Sequence, residues 1–277
     1  MTGLPILNYH GIESHEAEFS WLPGERIYAL DKSVFQSQFD QLTANGFVSL
    51  SLKQLGEWMG KGIASVASPP RDDIINPLML TFDDGHISHF KYAAPLLNHK
   101  RLKAVFFVSA GIVGKKDKMG WFHLKQLIRE GFEIGSHGMT HIPLTRLSKE
   151  KLVNEIGASK QKLEDKLGVP ISSFSVPCGF FGPGIRKVAE ESGYQFIFTS
   201  QFGVNQAHKR AQTPFCLKRL AIKHGTTLKS FTEMIHGRLG LSGTVEGAKN
   251  VARRFVSPSI YESLANFKSR FELRSVR

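Results

Sequence analysis

Short apolar runs alternate with longer amphipathic ones along most of this chain, and no other feature constrains the fold as much. Residues 4–8, 47–50, 78–82, 103–109, 132–134, 173–176, 195–199 and 217–222 are apolar stretches too short for helices, and they read as buried strands. Helical periodicity fills the intervals at 33–45, 52–59, 88–99, 121–130, 148–167, 183–193 and 227–236. The longest helix, 148–167, places Leu152, Ile156, Leu163 and Leu167 on one face, with Ser148 as its cap and Gly168 and Pro170 as its stop. Pro95 within 88–99 removes a helical hydrogen bond, so a kink is expected there. Residues 13–30 read as an irregular loop carrying Trp21, and 67–77 as a polar, proline-rich loop. Strand–helix alternation of this kind makes parallel strands covered by helices, and 277 residues with 41% apolar content suffice for a core.

Two strands end in residues that serve chemistry better than stability. The first runs through Leu78, Met79, Leu80, Thr81 and Phe82 into Asp83, Asp84 and Gly85. Adjacent carboxylates repel unless a cation or a proton sits between them; the bland alternative is an acidic turn capping the next helix. His86 and His89 follow and read as helix-start, solvent-facing residues. The second strand, Phe132 and Ile134, leads into His137 and His141, a spacing that brings two imidazoles to one metal if the segment makes a single helical turn. Two histidines, a carboxylate and an open position make a catalytic zinc set.

The sequences TFDDG and SHGMTH, about fifty residues apart, resemble the first two motifs of the polysaccharide deacetylases, the family-four carbohydrate esterases. The resemblance extends over roughly residues 3–235 and implies a distorted seven-stranded (β/α) barrel with its chemistry at the C-terminal strand ends. It further implies that Asp83 is the general base and that Asp84, His137 and His141 bind one divalent metal. Zinc is the default, and cobalt or nickel fits the same ligands. The family closes a late strand with a general-acid histidine, and no late match is present here. The opening LPILNYHGI is similar instead to circularly permuted members whose Tyr-His strand supplies that group, which makes His10 the acid and places Tyr9 beside the substrate.

The family's third motif, Arg-x-Pro-x-Gly, stands here as Ser175-Val176-Pro177-Cys178-Gly179. Ser175, Pro177, Cys178 and Gly179 are therefore expected at the substrate, with the Cys178 amide holding the oxyanion. The usual arginine pairs with the base. Ser175 carries no charge, so the pKa of Asp83 should be less depressed unless another cation compensates. The fourth motif has no match, and FTSQFG (198–203) stands in its place. The activity implied is metal-dependent hydrolysis of N-acetyl groups on an amino-sugar glycan. The alternatives are a catalytically weak glycan-binding or scaffold protein of an exopolysaccharide pathway, and an amide or cyclic-imide hydrolase.

Residues 1–243 read as the barrel and 244–277 as a basic helical extension. The net charge of +12 admits an anionic membrane surface or an acidic glycan as partner, and no nucleic-acid motif is present; the extension itself reads as a terminal helix packed on the barrel with a solvated basic face, or else as a membrane-surface or partner-binding helix. No apolar run reaches spanning length. The N-terminus lacks a basic region and an apolar signal core, so the sequence as it stands reads as cytoplasmic, with peripheral membrane contact through the extension. Two cysteines do not make a disulfide scaffold. Trp21 is either a sugar-stacking residue or packing beneath its loop.

Overall fold

The computed structural model describes residues 3–14, 19, 21, 23–61, 76–207 and 214–239. Of the proline-rich loop expected at 67–77, residues 67–75 lie outside the described residues, as does the basic extension at 244–277, whereas Asn76 and Pro77 belong to a strand. In chain order the elements are β1 (Ile6–Tyr9), β2 (Gly11–Glu13), α1 (Pro23–Arg26), β3 (Ala29–Asp31), α2 (Lys32–Ala44), β4 (Phe47–Ser49), α3 (Leu52–Lys61) and β5 (Asn76–Phe82). After these come α4 (Ala94–His99), β6 (Val105–Val108), α5 (Trp121–Arg129), β7 (Glu133–Ser136), α6 (Lys149–Val153), α7 (Ser159–Leu167), β8 (Ser173–Ser175), α8 (Pro183–Glu191), β9 (Phe196–Phe202), β10 (Phe215–Ala221) and α9 (Leu228–Ile235).

Seven parallel strands close into a barrel in the order β1, β10, β9, β8, β7, β6, β5, and β5 returns to β1. The closing strand is shared along its length. Asn76, Pro77 and Leu78 of β5 pair with β4, whereas Met79 to Phe82 pair with Ile6 to Tyr9 of β1. The barrel thus gains an eighth strand outside the ring. Part of the expected irregular loop is ordered, because β2 and β3 pair with each other as a separate parallel ribbon.

Side-chain alternation along each strand sorts residues into two buried clusters. Leu7 and Tyr9 of β1, Leu78, Leu80 and Phe82 of β5, and Phe106 and Val108 of β6 pack outward under the helices. Ile6, Met79, Val105, Phe107, Phe196, Phe198 and Leu217 fill the interior, joined from below by Leu52, Leu55, Trp58 and Met59 of α3. One step further along the same inward faces the residues turn polar: Asn8, Thr81, Asp83, Ser175 and Arg219, all buried. An apolar plug fills one end of the barrel and a polar layer sits at the strand C-termini.

Both helices expected to be irregular or long absorb their misfit as a π turn. His89–Ala93 forms one before α4, with Pro95 in the first turn of α4, where its missing N–H costs little. Asn154–Ala158 forms another between α6 and α7, so the expected 148–167 helix is continuous but bulged, capped by Ser148 and ended by Gly168 at φ 72°. Among the described residues no helix is long and apolar enough to cross a membrane.

Candidate active site

The polar layer is built around Asp83. Its carboxylate accepts two parallel bonds from the Arg219 guanidinium, Nη1 to Oδ1 and Nη2 to Oδ2, each 2.8 Å. Asn8 Nδ2 at 3.2 Å and Ser175 Oγ at 3.1 Å donate to Oδ2. Arg219 is itself fixed by Thr199 O (3.0 Å from Nε), Asn8 Oδ1 (3.0 Å) and Ser175 Oγ (2.9 Å), and only 2% of it is exposed. Burial by itself would raise the Asp83 pKa; the opposing charge of Arg219, with smaller help from His137, holds it well below the usual carboxylate range.

This corrects one expectation. The cation missing at Ser175 is supplied from β10, and Ser175 joins Asp83 and Arg219 in the buried layer instead of facing substrate. The sequence did carry a signal. Arg219 alternates with Leu217 and Phe215 on one strand face, with Lys218 on the other, and a charge on an apolar face is rarely buried without a partner.

The neighbouring carboxylate, Asp84, turns the other way because its backbone is left-handed (φ 72°), followed by Gly85 at φ 59°. Its Oδ1 lies 3.3 Å from His137 Nε2 and 3.0 Å from His141 Nε2, and the three ligand atoms fall within 4.8 Å of one another. The His137 ring is held by a 2.8 Å contact between Nδ1 and the Ser175 carbonyl, which puts the proton on Nδ1 and leaves Nε2 as a lone-pair donor. Burial pushes the His141 pKa down, but the Asp84 carboxylate beside it prevails and the net shift is upward. Two imidazole nitrogens and one carboxylate oxygen, with the second nitrogen of His137 anchored, fit a divalent metal of the zinc type.

The two histidines do not sit on a helical turn. The 137–141 segment is irregular, reversing through Gly138 (φ 77°) and His141 (φ 62°). Glu155, from the π turn, holds it there. Its carboxylate accepts from the Met139 and Thr140 amides, both at 3.0 Å, and from the Thr140 hydroxyl at 2.6 Å. Nothing in the sequence singled out Glu155; the bulge that aims it forms only in the packed helix.

His10 lines the same cavity, of about 270 Å³, as Asp83, Asp84, His137 and His141. Its ring packs on Tyr28 at 4.5 Å, and its buried Nδ1 has no partner among the described residues. Burial lowers its pKa, and the charges of Asp84 and Asp83 partly restore it. Cys178 and Gly179 line the cavity, on a tight turn with φ of 56° and 75°. Pro177 is buried behind them. Tyr9 is a second correction: strand alternation turns it away from the cavity, fully buried among Phe35, Phe39 and Phe82, with its hydroxyl on Gln38. His86 and His89 are also buried, contrary to the solvent-facing reading. His89 Nε2 bonds the His10 carbonyl, and His86 stacks on Trp21 at 4.3 Å. Trp21 lines the cavity as well, packed over Gly11, where a Cβ would meet its ring.

A closed parallel barrel with acids and imidazoles gathered at its C-terminal mouth is the architecture of a barrel hydrolase. Residues 71–197 match the family model described as polysaccharide deacetylase. It is 25% identical over 228 residues to Bacillus subtilis YxkH, named as a proposed polysaccharide deacetylase, covering 82% of this chain and 74% of that one. It is 32% identical over 124 residues to a peptidoglycan-N-acetylglucosamine deacetylase of Bacillus cereus, covering 44% of this chain and 56% of that one. The fold matches the Streptococcus pyogenes deacetylase PplD with a TM-score of 0.70 at 20% identity, over 84% of this chain and 98% of that one. IcaB from Ammonifex degensii gives 0.69 at 22%, over 86% and 97%.

Proposed function

We propose that this protein hydrolyses the N-acetyl group of an amino sugar within a glycan. The observation that carries the reading is the division of labour between adjacent carboxylates. Asp83 is locked to Arg219 and kept ionised, and Asp84 is turned away to face His137 and His141. A divalent metal held by Asp84, His137 and His141 would supply Lewis acidity to the acetamide oxygen and lower the pKa of a bound water towards about 7.

The chain's own groups supply the rest. Asp83, charged and without a role as ligand, takes the proton of the attacking water. The arginine clamp fixes which way its oxygens point, so the base needs no reorganisation. The amide of Cys178, presented by the left-handed turn, is assigned to the developing oxyanion. His10 protonates the departing amine; burial makes its imidazolium a stronger acid than a solvated one. Buried, tightly bonded walls around Asp83 exclude water from the base except through the cavity.

The test measures metal content and acetate release together. Wild type should hold about one zinc per chain, and His137→Ala/His141→Ala should lose it. Asp83→Asn should keep the metal and lose acetate release from N-acetylglucosamine oligomers. Full turnover by Asp83→Asn would refute the assignment of the base, and a metal-free wild type after zinc addition would refute the site.

A further inference from the structure

Lys118 has no role in the chemistry above, yet it is held as firmly as the residues that do. The loop after β6 is laced to the Asp-Asp loop by backbone bonds on both sides of it: Ile87 N to Asp117 O at 2.9 Å, Met119 N to Gly85 O at 2.8 Å, and a bridge between His86 and Lys118. Asp117 adopts a left-handed φ of 57° to make this approach. The Lys118 side chain therefore rises from a backbone fixed against the catalytic strand end, and it lines the cavity. Among the described residues, no carboxylate forms a salt bridge with its ammonium. Its charge reaches the site, acting against protonation of His86, His89 and His141.

The charge balance of the cavity gives that ammonium a use. Asp83 is neutralised by Arg219. Asp84 is outweighed by any divalent ion it helps to hold. Among the described residues the remaining charged lining is Glu25 against Lys118 and Lys223. Over these residues a site holding a divalent cation would be net positive, and Lys118, partly buried, stands in its lining. A neutral oligosaccharide does not need such a group, and a half-buried lysine facing only hydroxyls forfeits part of its hydration for little return.

We propose that Lys118 is a specificity residue that binds an anionic substituent, a carboxylate or a phosphate, on the glycan being deacetylated. The proposal rests on the deacetylase reading for the word substrate, and its test is separable from that reading because binding is measured as well as turnover. Three tetrasaccharides of matched length serve as probes: neutral N-acetylglucosamine, the same backbone with lactyl carboxylates on alternate sugars, and the same backbone with 6-phosphates. Kd comes from titration calorimetry with the zinc-loaded protein, and kcat and KM from acetate release.

Wild type should bind at least one anionic tetrasaccharide about tenfold more tightly than the neutral one, as expected for a charge-assisted contact. The anionic arm that shows the preference identifies the group. The preference should vanish in Lys118→Met, return in Lys118→Arg, shrink as salt rises, and appear in KM and not in kcat. Equal Kd values for all three sugars in wild type would overturn the proposal, and so would a preference that survives Lys118→Met. If no sugar releases acetate, the deacetylase reading fails, and the Kd series still decides the role of Lys118.

Discussion

Replacing Arg219 by methionine tests the central feature of the site, the buried pair between β5 and β10. The change removes both guanidinium bonds to Asp83 and leaves its carboxylate, 2% exposed, with only Asn8 and Ser175 as donors. Breaking a buried pair from one side costs about 3–5 kcal/mol, since the surviving charge has lost its partner. Adding Asp83→Asn should return about 2 kcal/mol or more, because an amide in that place needs no counter-charge. The pH dependence gives an independent sign. In wild type the folded-state pKa of Asp83 is depressed, so its contribution to stability is present above the unfolded value of about 4 and is lost as pH falls through the folded pKa. In Arg219→Met burial outweighs the remaining donors, Asn8 and Ser175, and the smaller pull of His137, and raises that pKa, so stability should instead fall as pH rises above about 4, by up to about 1.4 kcal/mol per pH unit. Urea unfolding with a chelator present, from pH 4 upward, measures the difference between the two proteins, in which contributions from Asp84 and the histidines largely cancel. Equal slopes, or an Asp83→Asn change that adds to the loss instead of relieving it, would refute the view that the pair holds Asp83 ionised.

Glu155→Gln should weaken zinc binding by about tenfold to a hundredfold, because the loop between His137 and His141 loses the charge on the oxygen that holds its two amides and the second oxygen that accepts from the Thr140 hydroxyl; competition against a chromogenic chelator reads this directly. Gly135→Ala should lower stability by about 1–3 kcal/mol or more, seen as a fall in Tm, since its Cβ would lie 2.3 Å from Phe107 Cε1 and 2.6 Å from Ser173 Oγ inside the barrel. His89 is buried neutral with its pKa lowered to about 4, mainly by burial, so the unfolded chain binds its proton first as pH falls. Wild-type stability should therefore drop below about pH 6.5 towards pH 4, and His89→Gln, which keeps a donor for the His10 carbonyl, should flatten that slope by about 1.4 kcal/mol per pH unit.

The order of strands and helices was legible because period-two and period-3.6 patterns are local, and each survives packing. Asp83, Asp84, His137 and His141 were legible for a similar reason: polar residues just past apolar strands, at the mouth of a parallel barrel, have one place to go. Two short strands, β2 and β3, were not, since neither is long enough to show a period. The π turns escaped notice because a bulge changes hydrogen bonding without changing the pattern of apolar residues.

The sequence by itself determined the alternation of parallel strands and covering helices, the paired acids and the paired imidazoles. Only the closed barrel decided which groups meet. Strand alternation assigned Asn8 and His10 to the cavity and Tyr9 to the core, although all three read as one motif in the chain. Ring closure brought Arg219 of β10 across to Asp83, 136 residues away in sequence, and so filled the place that Ser175 leaves without charge. A charge pair depends on where two side chains stand in space, and nothing in the local sequence records which distant strand will supply the partner.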